Sequence, residues 1–348
     1  MGITDRANVK VAVIVSGRNS ATTLQECLES LLSQDFPIEE IFYFDNGSSD
    51  DSIQLARDIA DRSSIRIHVI DGGADGTISR AYNRGVAAAK SEIVVLCHSD
   101  CKIASPYELE KLVAPLISDP AIAVCYPKQL MPRDVWAKFP FWQKFLFALA
   151  VDRQESSMCA TFDAVRRNFY MENGGFNEKR FTATCGYGGE DSEAHFRFAK
   201  AARYALTEAR AIHLHAFNSR FGFRSYIGTR AMLARTYGKI LRWQRGLRKT
   251  SDIALLVRPL LCIMPFCALL FFAIATPYIG LCMTLSVFGA QVLFSILASR
   301  KMFAYKETLC DWRILLVIPV ALFMIYFETF WFFHGLLTPY ADEGTETT

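Results

Sequence analysis

The chain has 348 residues, 51% of them hydrophobic, with a mean hydropathy of +0.17 and a formal charge of +3. This composition is apolar for a wholly soluble enzyme and polar for a chain that is all transporter, and the near-neutral charge does not argue for a nucleic-acid binder. Ten cysteines follow no disulfide spacing, and three of them (Cys262, Cys267, Cys282) lie in apolar stretches, the pattern of buried free thiols in a reducing compartment.

Met1 to Lys10 has no apolar h-region, so no signal peptide is expected, and the domain that follows is expected to stay in the cytosol. Val9 to Val15 is a β-branched run suited to a strand buried on both faces. The polar break Ser16-Gly17-Arg18-Asn19-Ser20 ends it, and a helix follows with Leu24, Cys27, Leu28, Leu31 and Leu32 on one side. Glu40 to Phe44 reads as a second strand, closed by Asp45-Asn46-Gly47, and Asp50 and Asp51 sit at the start of the next helix, where acids cap free N–H groups. Ile65 to Ile70 is a third strand. Gly72, Gly73 and Gly76 connect it to a helix over Ser79 to Lys90. Glu92 to Cys97 is a fourth strand, Pro106 opens a helix carrying Leu109, Leu112, Val113 and Leu116, and Ala121 to Tyr126 is a fifth strand.

Strands alternating with helices at this spacing predict an α/β fold with a mostly parallel sheet covered on both faces. In such sheets ligands bind beyond the carboxyl ends of the strands. There stand Ser16 to Asn19, Asp45-Asn46 and His98-Ser99-Asp100, three polar strand ends expected to converge on one crevice. Cys97 and Cys101 bracket His98, but no second Cys/His pair completes a zinc site. Trp136, Phe139, Phe141, Trp142, Phe145 and Phe147 form an aromatic cluster that reads equally as core or as a surface facing the acceptor or the membrane. Further on, Gly188-Gly189 leads into Glu190-Asp191 and a helix over Asp191 to Ala201. By itself that pattern is a helix N-cap with acids on the dipole; facing a crevice, the same carboxylate could serve as a general base.

From Arg220 to Lys249 there are nine Lys or Arg and no acid, as expected of a cytoplasmic flank beside anionic headgroups. Three apolar spans follow, Pro259–Ala275, Tyr278–Ala298 and Ile314–Leu337, the first two read as a tilted hairpin with a shallow re-entrant pair as the alternative. Arg300, Lys301, Lys306 and Arg313 lie between the second and third spans, and Asp342-Glu343-Gly344-Thr345-Glu346 lies after the third. That asymmetry predicts three crossings, a cytosolic N-terminal domain and an exoplasmic tail in the plasma membrane. The expected organisation is a soluble domain over 1–218, basic interfacial helices over 219–252, a membrane domain over 253–338 and an acidic tail over 339–348. Glu328 and His334 fall within the third span, where an acid is either functional or buried in the bundle.

The first domain resembles the family 2 inverting glycosyltransferases of the GT-A fold. The resemblance rests on Arg18-Asn19 with Leu24 and Cys27-Leu28, on Phe44-Asp45-Asn46-Gly47-Ser48-Ser49-Asp50, on Asn83-Arg84-Gly85, on Gly174-Gly175-Phe176-Asn177-Glu178 before Gly189-Glu190-Asp191, and on His213-Leu214-His215. It covers residues 9–217, and the basic segment with its C-terminal helices is similar to succinoglycan-type exopolysaccharide glycosyltransferases. The resemblance implies a GT-A domain followed by transmembrane helices. Asp191 would be the catalytic base with Glu190 beside it. Asp100 and His213 would be ligands of Mg or Mn. Ser16, Arg18, Asn19, Asp45, Asn46, Asn83 and Ser99 would line the nucleotide-sugar site. The implied reaction moves a hexose from a nucleoside-diphosphate sugar to a hydroxyl of a membrane-held, lipid-linked saccharide among membrane lipids, without nucleic acid. A polyprenyl-phosphate sugar synthase and a non-catalytic nucleotide-sugar-binding membrane subunit are the alternatives. Two departures stand out: His98 occupies the first place of the family's Asp-x-Asp motif, and Gly17 stands where an aromatic often follows the first strand. Lys239-Ile240-Leu241-Arg242-Trp243 is similar to the Gln-x-x-Arg-Trp of processive synthases, with Lys for Gln.

Overall fold

The computed structural model describes residues 9–73, 76–155, 158–179, 189–215, 219–243, 256–274 and 277–338. Gly188, part of the basic run and the acidic tail lie outside them. The chain divides into two units, one of Met1–Val135 with Asp152–Phe217, the other of Trp136–Val151 with Asn218–Thr348.

The first unit runs β1 (Val11–Gly17), α1 (Leu24–Leu32), β2 (Ile38–Asp45), α2 (Ser52–Ala60), β3 (Arg66–Asp71), α3 (Ile78–Ala88), β4 (Ile93–His98), β5 (Cys101–Ile103), α4 (Glu108–Ser118), β6 (Ile122–Leu130), β7 (Gln154–Glu155), β8 (Phe162–Arg166), α5 (Arg167–Glu172), α6 (Glu190–Ala201) and β9 (Arg203–His213). The sheet order is β3-β2-β1-β4-β8-β6-β9-β5, with β7 paired to β6. β1 is parallel to β2 and β4, β2 to β3, and β6 to β9. The sequence-predicted strands form this parallel half, and the antiparallel β8 inserts between β4 and β6.

Every residue of β1 is buried, and the period of two divides them between the faces of the sheet. Val11, Val13 and Val15 pack with Leu24, Leu28 and Leu31 of α1, while Ala12 and Ile14 pack with Phe42, Tyr82 and Val86 on the other side. A β-branched run therefore sits at the centre with helices on both faces, and its carboxyl end is fixed beside those of β2 and β4. Pairing sets Gly17 against Asp45 and Ser16 against His98.

In the second unit, α7 (Phe223–Trp243) is followed by α8 (Val257–Ile274), α9 (Pro277–Ser299) and α10 (Val317–Leu337). The stretches Tyr278–Phe303 and Trp312–Leu337 are long and apolar enough to cross a bilayer, and the apolar stretch Val257–Phe271 is shorter. Among the described residues, two of the three expected spans thus reach the length of ~20 residues that a crossing needs. Large apolar side chains point outward along α8, α9 and α10, among them Phe266, Leu270, Leu285 and Phe330. The aromatic cluster is core: Trp136, Phe139, Phe141, Trp142 and Phe145 are buried, with Trp142 4.7 Å from the Phe223 ring and Phe145 stacked 5.1 Å from Tyr226. α7 crosses α10 at two glycines. A Cβ at Gly238 would stand 2.0 Å from Phe332 O, and one at Gly335 2.0 Å from Arg235 O, so only glycines allow this approach. Arg242 donates to the Leu337 carbonyl at 3.0 Å, capping the end of α10.

Candidate active site

The strand ends are knitted together by short polar side chains. Asn46 donates from Nδ2 to Ser16 Oγ at 3.0 Å, and its backbone N–H donates to Gly17 O at 2.8 Å. Ser48 N–H donates to Asp45 Oδ1 at 2.7 Å, and Tyr43 Oη donates to Asp45 Oδ2 at 3.2 Å. The Asn19 N–H donates to Ser48 Oγ at 2.7 Å and its Oδ1 accepts from Ser49 N–H at 2.8 Å, which holds Asn19 at a positive φ of 52°. Ser20 and Ser99 hydroxyls meet at 2.6 Å, and Ser99 N–H donates to Ser16 O at 3.1 Å. Ser16, Asn19, Asp45, Asn46 and Ser99 are thus brought into one lattice across β1, β2 and β4. Arg18 follows β1 half-buried, without an ion-pair partner among the described residues. The lattice also explains Gly17: a Cβ there would stand 2.2 Å from Ser99 Oγ, so no aromatic can occupy the position.

Asn83 has a different use. Its Nδ2 donates to Phe176 O at 2.9 Å and Glu178 Oε1 at 2.7 Å, and its Oδ1 accepts from Tyr170 Oη at 2.7 Å and Phe176 N–H at 2.9 Å. Those four bonds fill its capacity and leave none for a nucleotide sugar. Asn83 instead clamps the Gly174–Phe176 turn.

At the end of β4, Asp100 meets His213 of β9, Oδ1 to Nε2, at 3.2 Å, because β5 pairs Cys101 with His213 in register. His98 completes the group: ligand atoms of His98, Asp100 and His213 all lie within 4.8 Å of one another. His98 was read from the sequence as a departure from an acidic motif, and its partner lies 115 positions away in the chain, His213. Burial pushes the Asp100 carboxyl up, but His213, His98 and His215 outweigh it and hold the acid well below its usual range. Burial lowers His98 to about 4. Burial and His213 take His215 well below the usual imidazole value. An ionised Asp100 carboxylate and a neutral His98 imidazole are the protonation states a divalent cation requires. Two imidazole nitrogens and one carboxylate oxygen are a donor set that can accept a divalent cation.

α6 carries the remaining acids. Gly189, at φ 87°, turns the chain into the helix in a conformation that a side chain would strain. Glu193 forms a two-pronged pair with Arg197, Nε to Oε1 at 2.9 Å and Nη2 to Oε2 at 2.7 Å, and Arg197 also donates to Gly175 O at 2.6 Å. Glu193 is therefore spent on anchoring α6 to the Gly174–Gly175 turn. Asp191 has no such cation: its Oδ1 accepts from Ser192 N–H at 2.6 Å, and no Lys or Arg pairs with it among the described residues. Burial raises its pKa. Glu190 is buried one residue before it.

Sequence reasoning missed Asp163. This fully buried acid on β8 accepts at Oδ2 from Cys159 N–H (2.8 Å) and Ala160 N–H (2.6 Å), and its Oδ1 has no hydrogen-bond partner among the described residues. Burial, with a contribution from the charge of Asp191, pushes it up to about 8. A raised acid holds its proton in the folded chain and releases it when unfolded, so stability falls as pH rises from the usual carboxylate range toward 8. Asp163→Asn should remove that slope. Thermal unfolding followed by circular dichroism should give equal midpoints for both proteins near about pH 4 and a higher midpoint for the variant near about pH 8.5. Identical pH slopes would contradict the assignment.

Residues 12–174 match the family model described as Glycosyl transferase family 2. The chain carries a family 2 glycosyltransferase domain. The glycosyltransferase is 25% identical over 237 residues to an O-antigen chain rhamnosyltransferase of Salmonella typhimurium, an alignment covering 64% of this chain and 71% of the relative. It is 32% identical over 97 residues to a succinoglycan biosynthesis protein of Rhizobium meliloti, covering 28% of this chain and 25% of the relative. Among solved structures it is similar to a mannosyltransferase from Pyrobaculum calidifontis in complex with GDP-Man and Mn2+, with a TM-score of 0.52, 18% identity, and coverage of 92% of this chain and 87% of that one. That likeness concerns the fold, GT-A.

Proposed function

We propose that this glycosyltransferase moves a hexose, with inversion, from a nucleoside-diphosphate sugar to a hydroxyl of a membrane-held, lipid-linked saccharide during polysaccharide assembly. The observation that carries the reading is Asp191: a half-buried carboxylate in the first turn of α6, without a cationic partner among the described residues and with a raised pKa, is suited to take a proton from an acceptor hydroxyl. Asp45 and Asn46 would accept from and donate to the base and ribose, and Arg18 would meet the diphosphate. His98, Asp100 and His213 would hold a divalent cation, Mg or Mn, which supplies positive charge to the leaving diphosphate when bound. The relatives in O-antigen and succinoglycan assembly favour a growing saccharide as acceptor. The apolar helices α9 and α10 would hold the chain in the plasma membrane with the acceptor's lipid, the first unit on the cytosolic side. A polyprenyl-phosphate acceptor is already anionic and needs no base, which sets it second.

The full chain in detergent, incubated with labelled nucleotide sugars, Mn2+ and a membrane lipid extract, should move label from one donor into the lipid fraction. If no donor is consumed under any divalent cation, the reading fails.

A further inference from the structure

α10 is largely apolar, and Glu328, near its middle, is its one acid. A lone carboxylate there is costly unless paired. It is paired twice: Arg230 of α7 donates from Nε to Oε1 at 2.6 Å, and Arg258 of α8 donates from Nη1 to Oε2. One arginine would neutralise it; the second leaves the trio with a net positive charge. The trio lines a cavity of about 150 Å³ between the three helices, with Tyr237, Pro259 and Phe332 on its walls. Each guanidinium has five N–H donors, and those not bound to Glu328 have no protein partner among the described residues. They are not sealed in either, since Arg230 and Arg258 keep 22% and 25% of their side-chain surface exposed. The Arg258 guanidinium lies 5.5 Å from the centre of the Phe294 ring, which fixes its plane.

We infer that the Arg230–Glu328–Arg258 cavity binds the phosphate of a membrane lipid. Two guanidinium forks held apart by one carboxylate present converging donors to a tetrahedral phosphate oxygen set. Outside the cavity, Leu260, Ile263 and Phe330 are exposed, so a hydrocarbon chain attached to the phosphate has apolar surface to lie along. Glu328 both positions the arginines and competes with the anion. The inference rests on the proposed membrane-held acceptor only in naming a lipid as the source of the phosphate; binding itself requires no turnover.

The test is a binding titration of the full chain in detergent, without donor sugar, against farnesyl phosphate, farnesol and inorganic phosphate. Farnesyl phosphate should bind, and farnesol and inorganic phosphate should each bind at least about tenfold more weakly, because each lacks one half of the recognised chemistry. Arg258→Gln should weaken farnesyl phosphate at least about tenfold. Should that variant fail to fold with Glu328 left unpaired, Glu328→Gln keeps the shape and removes the competing charge, and it should tighten farnesyl phosphate several-fold. Equal binding of inorganic phosphate would overturn the lipid source. An absence of farnesyl phosphate binding by both the wild type and Glu328→Gln would overturn the site. Glycosyl transfer that fails while this binding persists would remove the proposed reaction and leave the site standing.

Discussion

Asp191→Asn is expected to lower kcat by about 10³-fold, within the range a general base contributes, while leaving the donor KM unchanged and the thermal midpoint no lower. The amide keeps the size of the carboxylate and can still accept from Ser192 N–H, so the fold loses nothing. What it loses is the lone pair that takes the acceptor proton. The pH profile adds a second reading. Burial raises the Asp191 pKa, so the ionised, active base appears at higher pH than for an ordinary carboxylate, and the wild-type rate should climb through that raised value. In the variant the climb should vanish. Steady-state kinetics with saturating acceptor measures both effects. A variant that keeps most of its activity would move the acceptor from a hydroxyl to a phosphate.

The metal group should be equally sensitive. Asp100→Asn is expected to weaken Mn2+ at least about 100-fold, more than the loss of an outer-shell contact costs, and chelation should abolish transfer by the wild type. The reason is electrostatic: of the three candidate ligands Asp100 is the one carboxylate, and it stays ionised well below the usual carboxylate range. His98→Asp should retain metal-dependent transfer and shift the preference from Mn2+ toward Mg2+, because it replaces a nitrogen ligand with a hard oxygen. Activity measured across both ions, before and after chelation, decides this. Transfer that survives chelation in the wild type would contradict the metal assignment.

The parallel half of the sheet was legible because β-branched runs such as Val11–Val15 leave few alternatives, and polar breaks marked where each strand stops. β8 was not. Phe162–Arg166 lies in an irregular stretch, and its strand character comes from pairing with β4 and β6, which no local pattern announces. The same distance effect governs the site. His98 looked like a defect in an acidic motif until β5 and β9 set His213 beside Asp100. Asn83 looked like a ligand of the sugar nucleotide, yet its partners Tyr170, Phe176 and Glu178 arrive some 90 positions later. Asp163 gave no signal because a single acid in a short apolar strand has no periodic signature. In the second unit, the aromatic cluster is buried against Phe223 and Tyr226, and Glu328 is answered by Arg230 and Arg258, all of them distant in sequence. Local pattern shows which residues are polar where apolar ones belong; only tertiary pairing shows what satisfies them.

In the proposed reaction the strand-end lattice and the His98–Asp100–His213 group form one metal-dependent nucleotide-sugar site. Electron paramagnetic resonance of bound Mn2+ tests it most directly, with hyperfine couplings read before and after addition of a nucleoside diphosphate. Nitrogen couplings from imidazole are expected in the binary complex, joined by phosphorus coupling when the nucleotide binds to the same ion. Phosphorus coupling without any imidazole nitrogen would place the metal elsewhere and contradict the account.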